Sequence, residues 1–440
     1  MGVFTFKGGV HPYDGKDLSK DKPILVAKPK GDLVYPLSQH IGAPAKPIVA
    51  VGDYVVTGQK IAEAGGFVSA PIYATVSGTV KVIEPRRVPV GDMILSIVVE
   101  NDHEYKEAEY TEVDDVTVLS KEDVINKIKE AGIVGMGGAG FPTHVKLSPK
   151  EPEKIDYIIA NCSECEPYLT SDYRVMLEDT EKLVGGLKII LSLFDNAQGI
   201  IAIEDNKPDC IEKLANLVKN ESKIKVVSLQ TKYPQGSERQ LIYAVTKRTL
   251  NSSMLPADVG CIVDNTDTIV NIYNAVKLGK PLMQRVVTIT GDAIANPRNF
   301  RVQIGTSFAE LVEAAGGYLS QPAKVISGGP MMGFALFNTD VPVIKTTSAL
   351  LAMTEDDVAK FAPTPCINCG RCVEVCPSRI VPAKLGLMAN HGRMEEFEKL
   401  NGMECVECGS CSYVCPAKRP VAQSIKAMRK TILANRQKKK

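Results

Sequence analysis

The residues of this chain best suited to chemistry are its cysteines. There are twelve, none before Cys162, and eight fall between Cys366 and Cys415. Those eight form two runs on one template, Cys366-Ile-Asn-Cys369-Gly-Arg-Cys372-Val-Glu-Val-Cys376-Pro and Cys405-Val-Glu-Cys408-Gly-Ser-Cys411-Ser-Tyr-Val-Cys415-Pro. Each reads C-x2-C-x2-C-x3-C-P, a spacing that ligates [4Fe–4S] clusters. Three cysteines separated by two residues on a tight loop reach three corners of a cubane, and the fourth ligand must come from elsewhere. In two-cluster ferredoxins it comes from the other run. The expectation is one cluster on Cys366, Cys369, Cys372 and Cys415, and another on Cys405, Cys408, Cys411 and Cys376. Zinc ribbons use paired C-x2-C elements, not four cysteines in one run before a proline. Clusters that exchange ligands lie close together and form a one-electron relay. Cys162 and Cys165 read as packing or free thiols, and Cys210 and Cys261 as core.

A second group is rich in glycine. The segment GIVGMGGAGFPTHVKL, residues 132–147, brings Gly135, Gly137, Gly138 and Gly140 together with Phe141 and Lys146. Three of these glycines fit G-x-G-x-x-G, yet the preceding segment reads as a helix, whereas a dinucleotide fingerprint follows a strand. Either this is a glycine-rich connection, or its N–H groups cradle a phosphate or approach a flat ring. Lys146 can then supply positive charge to a phosphate or a reduced flavin. Farther along, Asn161-Cys-Ser163-Glu164-Cys-Glu166-Pro167 closes a predicted strand. Strand C-termini line the ligand crevice of an open α/β sheet. Two carboxylates there suit ribose hydroxyls or a nicotinamide amide. Five histidines are scattered, and only His144 lies in the glycine loop.

The elements that must position these groups follow from composition and pattern. A chain of 440 residues corresponds to about three domains. Hydrophobic residues at 44% and charged residues at 23% are ordinary globular usage. With 52 basic and 51 acidic residues the net charge is +1, which argues against nucleic-acid binding through a basic surface. The start carries no signal-peptide pattern, and no run approaches the roughly 18 apolar residues of a spanning helix. A soluble, intracellular chain is expected. Residues 1–22 read as an arm, and 23–100 as short strands of a small β-sandwich or barrel, with turns at Gly52-Asp53 and Ser77-Gly78. An acidic linker, 101–116, precedes a helix with Ser120 as N-cap and Asp123 at the capping-box position. Val124, Ile125, Ile128 and Ala131 share its apolar face. Strands at 154–162, 199–205 and 223–231 alternate with helical stretches, which predicts βαβ units around a parallel sheet. Residues 285–330 read as a compact α+β unit. The end is a basic helix-like tail, and Arg436–Lys440 reads as a solvated charged end that could touch anionic lipid or an acidic partner.

With these residues in view, a resemblance can be stated. Gly135 to Lys146 resembles the flavin- and NADH-binding loop of the NADH-oxidising subunit of respiratory complex I. Asn161 to Pro167, YPQGSERQL (233–241) and VDNTDT (263–268) resemble that family's further motifs. Nearly the whole chain is more similar to the C subunit of the Rnf electron transport complex, the ion-translocating ferredoxin:NAD+ oxidoreductase. Phe6-Lys-Gly-Gly-Val-His11-Pro12, ECEPYLTSDYR and the double cysteine motif carry that likeness. Ser163, Ser237 and Asp264 stand where the complex I family has Asp, Glu and Asn, and suit the Rnf subunit better.

The resemblance implies a multi-domain α/β and α+β architecture. An arm and barrel-sandwich β-domain would occupy 1–116, and a Rossmann-like FMN/NAD(H)-binding domain 117–284. A β-grasp (SLBB-like) module would occupy 285–350, and a helical two-[4Fe–4S] ferredoxin-like domain 351–440. Lys60 lies beside the first turn of the barrel, away from the hairpin position of a lipoylated lysine, so no attached lipoate or biotin is expected. The resemblance assigns Gly135, Gly137, Gly138, Lys146, Asn161, Ser163, Glu164, Gly236 and Asn265 to FMN, and Gly140 is counted with the cofactor-binding residues. It assigns Phe141, Glu166 and Glu238 to NAD(H). Glu166 would orient or polarise the nucleotide, and Lys146 would stabilise anionic reduced flavin, which makes this pair the catalytic residues. The implied role is electron passage between NAD(H) and iron–sulfur carriers through FMN and two [4Fe–4S] clusters. The implied setting is peripheral, on the cytoplasmic side of the cell membrane, through the other subunits of a membrane-bound complex. A flavin-dependent cobalamin reductase of microcompartments shares the loop and clusters, but its family begins close to the glycine loop. An electron-carrier scaffold without nucleotide chemistry is the remaining alternative.

Overall fold

The structure is a computed structural model that describes residues 3–438. Its first residues lace modules together instead of hanging free. Phe4 exchanges backbone hydrogen bonds with Ser228 and Gln230 at the edge of the central sheet, Val10 pairs with Tyr233, and the Gly9 N–H reaches the Val375 carbonyl at 2.8 Å. The strand β1 (Leu25–Ala27) joins a sheet built from residues near 300. The barrel-sandwich then runs through β2 (Leu33–Pro36), β3 (Lys46–Pro47), β4 (Tyr54–Val55), β5 (Lys60–Glu63), β6 (Ile72–Tyr73), β7 (Gly78–Arg87) and β8 (Met93–Asn101). It packs the sheet β2-β8-β7-β4 on the sheet β3-β5-β6. The first residues of β7 alternate buried and exposed, as a half-buried strand must. Lys60 on β5 is ion-paired with Glu130 at 2.5 Å.

The α/β domain opens with α1 (Lys121–Glu130), whose Ser120–Asp123 capping box forms and whose Val124 and Ile128 are buried. A single turn, α2 (Thr143–Lys146), follows the glycine loop. Next come β9 (Tyr157–Cys162), α3 (Ser171–Glu178), α4 (Thr180–Leu191), β10 (Gln198–Glu204), α5 (Pro208–Leu217), β11 (Ile224–Leu229), α6 (Glu238–Thr246), β12 (Cys261–Asn265) and α7 (Thr266–Lys277). All four strands are parallel, in the order β11-β10-β9-β12. The chain steps outward from β9 to β11 and then returns to the other side of β9. The connection therefore reverses between β9 and β12, and an open parallel sheet binds its ligand outside the strand C-termini at such a reversal. β12 was absent from the strands expected from sequence. Five residues between a Gly turn and a helix N-cap carry too little pattern to declare a strand.

The next module contains β13 (Gln284–Thr290), β14 (Arg298–Gln303), α8 (Phe308–Ala314), β15 (Lys324–Ser327), β16 (Phe334–Ala335) and β17 (Ala349–Met353). Its sheet runs β1-β14-β13-β17-β15-β16. The buried strand β17 lies between β13 and β15, so the boundary expected at 350 falls inside a strand. The sheet also takes β1 from the arm. The C-terminal part has α9 (Arg371–Glu374), α10 (Pro382–Asn390), α11 (Met394–Lys399), α12 (Ser410–Tyr413) and α13 (Val421–Lys438) around Leu385, Phe397 and Ile425. The single turns α9 and α12 each start from a left-handed glycine, Gly370 at φ 78° and Gly409 at φ 81°. Among the described residues no helix is long and apolar enough to cross a membrane. Arg436 pairs with Glu398 at 2.5 Å, while Lys439 and Lys440 of the basic tail lie outside the described residues.

Candidate functional site

The glycine loop arches over the β9/β12 reversal. Its base is fixed: Gly135 N–H donates to the Phe141 carbonyl and Met136 N–H to Thr268 Oγ1 on α7, both at 2.9 Å. Its tip, Gly137 to Ala139, is exposed. A Cβ on Gly137 would lie 2.8 Å from the Asn265 Cβ, whereas Gly138 has no neighbour within 4 Å and faces open space. Gly140 is held at φ 73° against Gln39, His40 and Thr346, which belong to other modules. His144 turns away from the cleft, with Nε2 3.4 Å from the Phe67 carbonyl of the barrel.

Lys146 closes the floor. Its Nζ donates to the Val263 carbonyl at 2.7 Å and to Asp264 Oδ1 at 2.9 Å. Burial alone would lower its pKa, but the Asp264 and Glu238 carboxylates outweigh that and hold it above the usual lysine value. Burial in the concave site likewise raises Glu238, against the pull of Lys146, even though solvent still reaches this side chain. Asp264 is 1% exposed and its Oδ2 has no partner. The Ser163 hydroxyl is also buried without a partner. Asn161 donates to the Gly236 carbonyl at 2.8 Å, and a Cβ on Gly236 would sit 2.4 Å from the Ser163 carbonyl. Asn265 caps α7 and donates to Asp172 Oδ2 at 2.7 Å. Burial and then Glu164 raise Asp172 to about 7.

Two expected ligand contacts are otherwise engaged. Glu164 accepts from the Asp172 and Tyr173 N–H groups and from Ser171, so its carboxylate caps the start of α3. Glu166 accepts from Met332 N–H at 2.7 Å and Met331 N–H at 3.3 Å, in the loop between β15 and β16. Burial raises it to about 7. Both carboxylates satisfy backbone donors that carry a partial positive charge, and each keeps further acceptor capacity. The structure thus brings Gly135, Gly137, Gly138, Lys146, Asn161, Ser163, Gly236, Glu238 and Asn265 to one cleft. Asp172, Asp264 and Thr268 belong there too. They were missed as site residues because their types alone do not distinguish them from capping and core residues. Asp264 ends β12, and Asp172 and Thr268 lie in the first turns of α3 and α7, the helices that follow β9 and β12; that position beside the reversal is the signal that could have found them.

The cysteine runs meet in a different way. A recess is lined by Cys376, Cys405, Cys408 and Cys411 with Ile380, Gly409 and Ile425. These four are the set that the two-run spacing predicts for one cluster. Burial raises the Cys405 thiol to about 11, and neighbouring Cys408 adds to this. A cluster's iron would reverse that penalty by holding each sulfur as thiolate. Among the described residues no three His, Cys, Asp or Glu groups surround a single ion. Cubane ligands each take a different iron and enclose a recess rather than a point. Cys372 lies near enough to Cys366 and Cys369 to feel both electrostatically, and those two are exposed. The two sites touch through Tyr233, which donates from its buried hydroxyl to the Cys408 carbonyl at 2.7 Å.

Comparison with known proteins agrees with this division. The chain matches family models described as the RnfC barrel sandwich hybrid domain over residues 4–104 and the Nuo51 FMN-binding domain over 128–274. An SLBB domain matches 286–335 and a 4Fe-4S dicluster domain 365–419. It is 44% identical to the C subunit of the Na(+)-translocating ferredoxin:NAD(+) oxidoreductase complex of Acetobacterium woodii, covering 99% of this chain and 98% of that protein. It is 45% identical to the proton-translocating counterpart of Clostridium ljungdahlii, covering 97% and 93%. The C subunit of the ion-translocating oxidoreductase complex of Pseudomonas aeruginosa is 39% identical over 99% of this chain and 57% of its own length. Among solved structures, an NAD+-reducing [NiFe]-hydrogenase matches with a TM-score of 0.50 at 17% identity, over 72% of this chain and 65% of that one, a likeness of fold.

Proposed function

Because the chain belongs to the family of C subunits of ion-translocating oxidoreductase complexes, we propose that it exchanges electrons between NAD(H) and iron–sulfur carriers within such a complex. It carries an FMN-binding domain and a 4Fe–4S dicluster domain. FMN, when bound, converts between two-electron hydride exchange and one-electron cluster chemistry. The residues in the β9/β12 cleft suit that cofactor. The open tip at Gly138, the partnerless Ser163 hydroxyl and the Lys146 cation, paired with Asp264, leave a polar space beneath the loop. Lys146 is kept protonated by Asp264 and so offers fixed positive charge to a phosphate or to a reduced ring. We assign Gly135, Gly137, Gly138, Gly140, Phe141, Asn161, Ser163, Gly236 and Asn265 to the cofactor's surroundings, with Glu238 at the rim where a nucleotide would enter. Glu164 and Glu166 act as positioning residues, one on α3 and the other on the β15–β16 loop.

The observation that carries the reading is the Tyr233–Cys408 hydrogen bond, because it seats a cysteine run directly against the domain that holds the cleft. Cys376, Cys405, Cys408 and Cys411 would hold the nearer cluster, and Cys366, Cys369, Cys372 and Cys415 the farther one. Other subunits would bring the chain to the cytoplasmic face of a membrane. The test is anaerobic reconstitution of the full chain, with iron, sulfide and FMN counted before NADH is titrated. About eight iron per chain, one FMN and NADH-driven bleaching of flavin and clusters are expected. Intact clusters with no binding of FMN or NADH would leave an electron-carrier scaffold instead.

A further inference from the structure

The N-terminal arm reaches the loop that follows β9 and places a buried cation against it. Lys16 is 7% exposed, and its Nζ donates to the Glu166 carbonyl at 3.0 Å and to the Leu169 carbonyl. The Glu164 carboxylate stands 4.0 Å away. Around this point the two segments interlock. The Tyr168 N–H donates to the Asp14 carbonyl, and a Cβ on Gly15 would lie 2.4 Å from the Tyr168 ring. Ser19 and Thr170 share a buried hydroxyl–hydroxyl bond at 2.7 Å, and Arg174 on α3 donates to the Lys20 carbonyl at 3.2 Å. Tyr168 itself is held at φ 69°, a left-handed conformation that a bulky residue keeps only where its surroundings impose it.

Lys16 approaches from the side away from the flavin cleft. It lines a recess with Glu204, at the end of β10, and Thr231, just after β11, whereas the cleft opens at the β9/β12 reversal. The loop from Ser163 to Leu169 thus separates the ammonium from the cleft. A lysine is a poor choice here for packing alone. Burial lowers its pKa, with Glu164 the chief opposing influence. A methionine of similar length would fill the space without that desolvation penalty. Glu204 already has its own cation, Lys207 at 3.0 Å, which leaves Lys16 to face Glu164 and Glu166. Its charge pulls the Glu166 carboxyl down, against the burial that raises it to about 7. A cation kept here at a cost in stability points to a use for its charge.

Resting on the electron-transfer reading above, we propose that Lys16 is a positioning residue for the flavin reaction. Its ammonium pins the loop that presents Asn161 and Ser163 to FMN, and its charge, beside Glu164 and Glu166, favours the anionic reduced flavin. It acts through the loop and not by contact with the cofactor.

The test uses the anaerobically reconstituted full chain and two variants. Lys16→Met removes the charge and both donors. Lys16→Arg keeps them, and the recess beside Lys16 gives the longer side chain room. FMN affinity is read by flavin-fluorescence titration and the midpoint potential of bound FMN by spectroelectrochemistry. In Lys16→Met the affinity should fall at least about tenfold. The reduction equilibrium should shift about tenfold toward oxidised flavin, about 30 mV for a two-electron couple. Iron content should stay at the wild-type level. Lys16→Arg should restore the potential and most of the affinity. Wild-type affinity and potential in Lys16→Met overturn the proposal. So does a lost affinity with an unshifted potential, or an equal loss in both variants with iron lost alongside, because either marks a residue that only braces the fold. A wild type that binds neither FMN nor NADH overturns the electron-transfer reading and the proposal with it. A wild type that binds both, matched by Lys16→Met, overturns the proposal alone.

Discussion

Lys345 offers the sharpest test of how the modules hold the glycine loop. It is 1% exposed and, among the described residues, has no carboxylate partner. Its Nζ donates to the Pro71 carbonyl of the barrel at 2.7 Å and to the Gly132 carbonyl, where the glycine loop begins, at 2.8 Å. Burial lowers its pKa from 10.5 to about 7, a penalty of about 5 kcal/mol on the charged form. Because the folded value lies below the unfolded one, the unfolded chain holds an extra proton between about pH 7 and 10.5. Stability from this group therefore rises with pH across that window, by at most about 1.4 kcal/mol per pH unit. Lys345→Met removes the charge but strips both carbonyls of a donor, each worth about 1–3 kcal/mol. Near pH 7 the relief and the loss nearly cancel, so the slope is the discriminating quantity. Urea unfolding of the anaerobic full chain from pH 7 to 9.5 should show wild type gaining about 3 kcal/mol on the variant. His40 also faces Lys345, but burial and then Lys345 hold its pKa below 6.5, outside this range. Parallel curves for the two proteins would refute a neutralisable lysine at this junction.

Three further outcomes are expected. Lys146→Ala should weaken FMN binding by roughly 10- to 100-fold, since a charge-assisted hydrogen bond contributes about 1.5–3 kcal/mol. Flavin-fluorescence titration reads this directly, and an unchanged affinity would remove Lys146 from the site. Tyr233→Phe leaves the buried Cys408 carbonyl without its donor and should cost about 1–3 kcal/mol in urea unfolding, whereas a loss below about 0.5 kcal/mol would mean that the bond does not join the modules. Gly236→Ala places a Cβ 2.4 Å from the Ser163 carbonyl; it should abolish FMN retention while iron content stays at the wild-type level, and a variant that keeps both would contradict the close approach.

Much of the site was legible in the sequence where chemistry is local. The Ser120–Asp123 capping box, the strands before α3 and α5, and the pairing of Cys376 with the second cysteine run each depend on spacing within a short stretch or on one repeated template. Those signals survive any tertiary arrangement, because hydrogen-bond geometry at a helix start and the corners of a cubane impose them. Pattern failed where an element draws its identity from neighbours far away in the chain. β12 and β17 are short; β12 takes its place by pairing with β9 at the edge of its sheet, and β17 by lying between β13 and β15.

The carboxylates show the same division most clearly. That Glu164 and Glu166 lie at a strand end was evident from their position after β9. Which donors they would meet was not, because Met331 and Met332 arrive from a module more than 160 residues away. Sequence alone supplied the inventory: eight cysteines on a cluster-ligating template, a glycine loop and a lysine beside it. Tertiary structure alone decided which cysteine run is enclosed and which faces out, and which acids are spent on backbone amides. The physical reason is that a buried charge must take whatever donor the packing supplies, and packing is settled by the whole chain at once.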